Sequence, residues 1–304
     1  MAGEIAQFDL WFPPIQLPVG CGQIRPPTAL PVLTMVCGHS RWAAAVLIPS
    51  RAAEDLMAGW WQLIAGLGAV PRALVWDGEG AVGRWRGGRS ELTADCQAFR
   101  GTLATKVIIC RPADPEAKGL VERLHDYLER SFLPGRTFTG PDDFNAQISG
   151  WLGRVNTRPR RALGCAPTDR ITADLAGMLP LPPVAPATGW RTSTRLARDH
   201  YVRLDGNDYS VHPAVIGRRI EVIADLHRVQ ALCDGRIVAD HDRIWARHQT
   251  ISADEHLTAA RALRAARHGL LRPAPATEAV EIRPLSDYDT ALGLTEDTPA
   301  GGAA

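Results

Sequence analysis

"SRAAEDLMAGWWQLIAGLGAVPRALVWD", residues 50–77, decides the fold. Most of it reads as an amphipathic helix. Ser50 is a candidate N-cap, Glu54 and Asp55 suit the positive end of the helix dipole, and Leu56, Trp60, Leu63, Ile64 and Leu67 recur at helical spacing. Gly66 or Gly68 can close the helix in a left-handed conformation. The last six residues, RALVWD, are a short apolar strand ending on Asp77. A helix that returns the chain to a buried strand is a crossover, so this strand is expected to run parallel to an earlier one.

The earlier strands lie just upstream. "EIAQFD", residues 4–9, is a short strand ending at Asp9. "PVLTMVCG" and "WAAAVLIP" read as a pair of strands turned at His39-Ser40-Arg41, with a Pro/Gly-rich loop over 13–29 before them. Downstream, the glycine- and arginine-rich stretch 78–91 is expected to be a mobile loop, followed by a helix over 93–105 and the strand KVIIC. Helices follow from about 116 to 132 and over 141–155, the second opened by Pro141 and Asp142. The order β-β-β-α-β-α-β-α defines an α/β fold with a mixed sheet and flanking helices.

The rest of the chain changes character. "LPLPPVAPATG", residues 179–189, reads as a linker. Beyond it lie short strands with hairpin turns at DGND and CDGRI, a small β-barrel-like domain. A basic helix over 252–269, closed by Gly269, precedes an acidic Pro/Ala/Gly-rich tail expected to be disordered. The expected domains are a core over 1–135, a helical extension over 136–178, the linker, the β-domain over 190–250, the basic helix over 251–270 and the tail over 271–304.

Composition excludes several classes. With 304 residues, 45% hydrophobic and 22% charged, the chain is ordinary for a globular protein. No apolar run reaches the roughly 20 residues a membrane span needs, and no basic leader precedes an apolar stretch at the N-terminus. The six cysteines are scattered without a C-x-x-C or Cys/His cluster, against a zinc site or disulfide framework and in keeping with a reducing cytosol. Net charge is only +1, but residues 151–272 are Arg-rich and net basic, which suits a polyanionic partner.

Three carboxylates fall in related places. Asp9 and Asp77 sit near the ends of strands expected to be neighbours, where α/β sheets gather their sites. On the helix after KVIIC, Leu120, Val121, Leu124, Leu128 and Phe132 form the buried stripe, and Glu122, Asp126 and Glu129 lie opposite. Angle alone does not choose among these three acids; Glu122 is closest to the preceding turn, which also carries Glu116. Three carboxylates are the minimal set for two divalent cations acting on a phosphodiester. Mg²⁺ or Mn²⁺ prefers carboxylate and water oxygens. In that arrangement Asp9 bridges while Asp77 and Glu122 each hold one ion.

"AQFDLW", "LVWDGEG" and "DPEAKGLVERLHDYLERSFLPGR" resemble the DDE integrase/transposase superfamily with its RNase H-like core. The K-G-x-V-E of Lys118 to Glu122 is similar to the family's helix signature. "TFTGPDDFNAQISGWLGRVNTRPRRALGCAPTDR" resembles the segment that follows in IstA-like insertion-sequence transposases. The resemblance implies a catalytic triad of Asp9, Asp77 and Glu122, and two Mg²⁺ or Mn²⁺ ions when DNA is bound. It also implies DNA 3′-end cleavage and strand transfer, self-association on DNA, an AAA+ ATPase helper and a bacterial, nucleoid-associated cytoplasmic location. IstA-like proteins carry helix-turn-helix regions before the core, whereas Met1 here lies eight residues before Asp9. A truncated, catalytically inactive DNA-binding remnant is therefore the alternative expectation.

Candidate phosphate contacts are Lys118, Arg84 and Arg86 with Arg89, Arg158, Arg160 and Arg161 with Arg154, and Arg191 and Arg195 with Arg198. Each has the plainer reading of a solvated surface cation. His125, one turn past Glu122, is either a proton carrier or an inert polar-face histidine. A glycosidase pair of Asp77 and Glu79 is weakly supported, since two acids in one loop do not oppose each other. His39 and Ser40 lack nucleophile-elbow spacing. WDGEG lacks the Lys-Ser/Thr of a phosphate-binding loop, and Trp60, Trp61 and Trp76 fit core packing better than sugar binding.

Overall fold

The structure is a computed structural model that describes residues 1–86, 89–110, 119–271 and 292. The acidic tail expected over 271–304 falls, apart from 271 and 292, outside the described residues. The chain forms two compact units, Met1–Ala259 and Ala260–Ala304.

The first unit is built on a five-stranded sheet. Its strands are β1 (Ile5–Trp11), β4 (Val32–Cys37), β5 (Ala43–Leu47), β6 (Ala73–Trp76) and β9 (Lys106–Ile109), in the order β5-β4-β1-β6-β9. β1, β4 and β5 form the antiparallel meander, and β6 and β9 are parallel to β1. This is the mixed RNase H-like order. The crossover helix α1 (Ala53–Leu67) joins β5 to β6, and α2 (Ala94–Leu103) joins β6 to β9. Gly68 ends α1 at φ +85°, while the helix starts two residues later than Ser50 suggests. Ser50 instead accepts from the Ala52 amide and donates to Asp55 Oδ2 at 2.7 Å.

One face of the sheet packs on α1 and α2. Phe8, Trp60, Trp76 and Phe99 form an aromatic stack there, with centroid spacings of 4.8–5.8 Å. Trp60 and Trp76 are 0% and 1% exposed, so they are core residues. The other face packs on α3 (Gly119–Tyr127), a π turn (Leu128–Phe132) and α4 (Pro141–Asn156) through Leu128, Phe132, Phe144 and Ile148.

β5 is an edge strand, and α4 covers it with two asparagines. Asn156 Oδ1 accepts from the Ala43 amide at 3.1 Å and its Nδ2 donates to the Ala43 carbonyl at 2.8 Å. Asn145 repeats the pairing on Leu47 at 2.7 and 3.3 Å. Side-chain amides thus stand in for a missing strand and block edge-to-edge pairing. Asn156 is 1% exposed. Asn156→Leu leaves two buried backbone groups unmet, and an urea titration is expected to show a loss of about 2–3 kcal/mol.

Two hairpins complete the core: β2 (Leu17–Gly20) with β3 (Gln23–Arg25), inside the Pro/Gly-rich loop, and β7 (Gly83–Arg86) with β8 (Arg89–Leu92). The second puts paired strands where a loop was expected over 78–91. Trp85 Nε1 donates to the Cys110 carbonyl at 2.7 Å and ties the hairpin to the end of β9.

After α5 (Pro167–Gly177), Leu179 pairs with Val70 and the chain enters the β-domain. One sheet has the order β10-β13-β14-β15, from Trp190–Arg195, Arg219–Ala224, Arg228–Cys233 and Arg236–Asp242. The other has β11-β12-β16, from Tyr201–Leu204, Asn207–Ser210 and Thr250–Ile251. Asp205-Gly206 and Asp234-Gly235 all have positive φ, as the two expected hairpin turns require. Tyr209, Val222 and Val229 centre this domain's own core. The basic helix α6 spans Asp254–Leu271, two residues beyond Gly269, and the second unit holds its later part. Among the described residues no helix is long and apolar enough to cross a membrane.

Candidate active site

The parallel register of β1 and β6 brings two acids together. Ile5, Ala6 and Gln7 face Ala73, Leu74 and Val75, and Asp9 and Asp77 each lie two residues beyond the last of these pairs. The Phe8 and Trp76 rings, one residue earlier on each strand, stack at 5.8 Å on the α1 face. Side chains alternate along a strand, so Asp9 and Asp77 belong to the opposite face, under α3. The pairing of β1 with β6 stops at Gln7, so Asp9 lies past the last rung on that side although β1 continues to Trp11. Asp9 and Asp77 both line a small cleft, with Cys110 and Val121. Asp9 Oδ1 accepts from the Leu10 amide at 2.9 Å.

Three polar contacts fix α3 and the π turn over β1 and β4. Gln7 Oε1 accepts from the Leu120 amide at 3.3 Å, His125 Nε2 meets Thr34 Oγ1 at 2.9 Å, and Glu129 Oε1 accepts from Trp11 Nε1 at 3.0 Å. Thr34 stands opposite Asp9 in the β1–β4 register. The nine-residue step from 120 to 129 rises about 13 Å in a helix, which matches four strand residues from 7 to 11. The helix therefore runs in the direction of β1, and Glu122 is level with the segment between Gln7 and Asp9.

These contacts separate the three helix acids. Glu129 is bound to the Trp11 indole, and Asp126 pairs with Arg130 at 3.9 Å. Glu122 is exposed and has no hydrogen bond or ion pair among the described residues. Seven residues before Glu129, it lies about 20° from it around the helix. It therefore lies on the same side of the helix as Glu129 but is exposed, while Tyr127 turns to Trp151 of α4 with ring centroids 5.0 Å apart. Among the described residues no group of three His, Cys, Asp or Glu side chains stands close enough to hold a metal ion. Asp9 and Asp77 are brought together; Glu122 is on the adjoining residue to the cleft-lining Val121 but outside a three-ligand group. The oxygen-only carboxylate pair suits a hard divalent cation.

His125 is held neutral. Burial pushes its pKa down from 6.5 to about 4, against a small upward pull from Asp126. Thr34 donates its one hydroxyl proton to the Asp9 carbonyl at 3.0 Å, so His125 must donate from Nε2 to the Thr34 oxygen. Since the unfolded chain binds this proton at higher pH than the folded one, stability is full above pH 6.5 and falls as pH drops toward 4. The expected loss at pH 4 is about 3 kcal/mol, absent from His125→Gln when denaturant midpoints are compared at both pH values.

The competing chemistries lose their residues. Arg51 donates to both Glu79 carboxylate oxygens at 2.9 and 3.0 Å, so Glu79 is not an opposed catalytic acid to Asp77. Ser40 is 0% exposed, and its Oγ accepts from the Trp42 amide.

The candidate phosphate contacts are dispersed. Arg84 and Arg86 are exposed on β7, and Arg86 pairs with Glu91 at 3.9 Å. Arg158 and Arg161 are exposed after α4, and Arg160 is half-buried. Arg191 and Arg195 are exposed on the edge strand β10, with Arg191 paired to Glu221 at 3.2 Å. Lys118 lies outside the described residues. Sequence reasoning missed the Thr34–His125 and Trp11–Glu129 contacts. It also missed the β7–β8 hairpin, although GRWR and RSEL flanking Gly-Gly carry a hairpin signal.

The mixed sheet is RNase H-like in its strand order, with Asp9 and Asp77 lining one cleft at its edge. The homologues of this chain are insertion-sequence transposases. It is 28% identical over 186 residues to the transposase for insertion sequence element IS21 of Pseudomonas aeruginosa, covering 60% of this chain and 44% of that protein. It is 24% identical over 202 residues to the transposase for insertion sequence element IS21-like of Bacteroides fragilis, covering 62% of this chain and 38% of that protein. The chain thus spans less than half the length of these two curated relatives. Residues 181–253 match the family model Mu transposase, C-terminal domain. Among solved structures, the catalytic core domain of BIV integrase superposes with a TM-score of 0.42 at 17% identity, over 56% of this chain and 95% of that one.

Proposed function

We propose that this chain is the catalytic part of an insertion-sequence transposase, a metal-dependent polynucleotidyl transferase. The observation that supports this reading is that Asp9 and Asp77 line one cleft together with Val121 of the helix that bears Glu122. Asp9, Asp77 and Glu122 would hold Mg²⁺ or Mn²⁺, with Asp9 shared. When bound, such ions activate an attacking oxygen and stabilise a leaving one at phosphorus. The protein's own contribution is placement. The stacked Phe8 and Trp76 rigidify both strands behind the acids, and the neutral His125 adds no charge that would compete for them. The freed 3′-OH of an element end would then attack target DNA directly, its oxygen forming the new phosphodiester as the target's own bridging oxygen leaves.

Arg84 and Arg86 beside the cleft, Arg158, Arg160 and Arg161 after α4, Arg191 and Arg195 on β10, and Lys118 would neutralise DNA phosphates. Each adds a salt-dependent, sequence-blind contribution. Joining two ends requires self-association on DNA, and an AAA+ ATPase helper is the expected protein partner. A bacterial cytoplasmic, nucleoid-associated location follows from this reading.

A second reading is favoured by one observation: Glu122 stands outside a three-ligand group among the described residues. On that reading the chain binds DNA without chemistry. Mg²⁺- or Mn²⁺-dependent nicking and joining of oligonucleotides, compared between the wild type and Asp77→Asn, separates the two. Activity lost in the variant supports catalysis; DNA binding with no metal-dependent activity in the wild type leaves the binding module.

A further inference from the structure

A cavity of about 790 Å³ lies on the flank of α3 away from the carboxylate cleft. Five arginines line it, brought from four places: Arg41 in the β4–β5 turn, Arg123 on α3, Arg158 and Arg160 after α4, and Arg170 on α5. Among the described residues no Asp or Glu lines it. Among the described residues none of the five is in an ion pair. Arg160 keeps a fully buried guanidinium nitrogen without a hydrogen-bond partner. Among the described residues Arg170 has the Leu163 carbonyl at 3.3 Å as its hydrogen-bond partner.

Crowding cations this way is unfavourable for the protein by itself. Burial lowers the pKa of both Arg41 and Arg160; Arg123 and Arg170 lower that of Arg41 further, and Arg41 that of Arg160. The nearby carboxylate of Asp174 draws Arg41 the other way, but it is already taken by the Gly3 and Ser40 amides at 2.7 and 2.8 Å. An unpartnered buried donor and like charges at one place are what an anion would relieve.

We propose that this cavity takes a phosphate-bearing end of a DNA strand, with the phosphate on Arg41, Arg160 and Arg170. The terminal nucleotide would lie against Tyr127, which is 37% exposed on the cavity wall and offers a ring face for stacking. Arg158 is exposed at the cavity and Arg154 and Arg161 are exposed close to it in the chain, which extends the positive charge for the rest of a strand. That continuity favours a polymer over a free nucleotide. The proposal rests on the transposase reading, and α3 separates this site from the acids that reading uses.

The test is fluorescence-anisotropy binding of a short single-stranded oligonucleotide carrying a 5′-phosphate, in EDTA, so that no metal-dependent step contributes. Arg41→Gln/Arg160→Gln is expected to weaken binding at least about 10-fold and to lower the log–log salt slope by about 1.4, the share of two phosphate-neutralising cations on a single strand. The 5′-hydroxyl oligonucleotide should lose much less. The variant's thermal midpoint should equal or exceed that of the wild type, since two crowded cations are gone. The independent pair Arg123→Gln/Arg158→Gln, at exposed positions, should weaken the same binding even where the first pair disturbs the fold. Wild-type affinity and slope in both pairs would overturn the proposal. So would Arg41-dependent binding of ATP with no such dependence for the oligonucleotide. Asp77→Asn should bind the oligonucleotide as the wild type does, so a failed catalytic reading and a failed anion site give different results.

Discussion

Asp77→Asn is expected to lower metal-dependent nicking and joining of DNA by at least about 1,000-fold, corresponding to about 4 kcal/mol of lost transition-state stabilisation. The substitution keeps the size of the side chain and removes its charge. Asp77 follows β6 immediately, and the strand itself is fixed by Trp76, which is 1% exposed and packed on Phe8 and Trp60. The sheet should therefore survive. A cation that loses one of two adjacent carboxylates loses both charge and geometry, whereas binding that depends on the dispersed arginines is left intact. The check is a pair of assays on the same preparation: strand nicking in Mg²⁺ or Mn²⁺, and DNA affinity in EDTA. Activity within 10-fold of the wild type would remove Asp77 from the chemistry.

Arg243→Ala is expected to cost about 3–5 kcal/mol of stability, a large share of what a domain of this kind possesses. Arg243 joins the β-domain to the core and its side chain is 3% exposed. Its Nη1 donates to Asp55 Oδ1 on α1 at 2.7 Å and to the Asp225 carbonyl at 2.8 Å, and its Nη2 donates to Asp205 Oδ2 at 2.7 Å. Burial alone would lower its pKa, but Asp55 and then Asp205 hold it raised, so the guanidinium stays charged. Truncation leaves the Asp55 carboxylate buried, with the Ser50 hydroxyl as its remaining side-chain partner. Arg243→Met combined with Asp55→Leu should recover most of the loss, because an apolar pair carries no desolvation penalty. A loss under about 1 kcal/mol for Arg243→Ala in a denaturant titration would show the bridge to behave as a surface pair.

The sheet was legible because its parts are local. The stripe from Leu56 to Leu67, the closing Gly68 and the apolar RALV together specify a crossover, and a crossover specifies a parallel neighbour. From there Asp77 at a strand end is visible in the sequence. Glu122 is not visible by pattern, because Glu129 lies on the same helical stripe seven residues later. What separates them is long-range: the Trp11 indole that binds Glu129 is 118 residues away. Its place nearest the preceding turn favoured Glu122, and the resemblance to DDE enzymes singled it out. The β7–β8 hairpin was hidden for a related reason. Its strands hold few apolar residues, and it is tied in part by an indole on the carbonyl of Cys110. The arginine cavity gathers Arg41, Arg123, Arg160 and Arg170 from separate elements, so no window of sequence contains it.

The most direct test of the central claim is a Mn²⁺ anomalous-scattering structure of the chain with DNA bound. Manganese between the carboxylates of Asp9 and Asp77, with Glu122 turned in from α3 to complete the set, is the expected result. Metal elsewhere on the molecule, or bound at the aspartates while Glu122 still faces solvent, would contradict it.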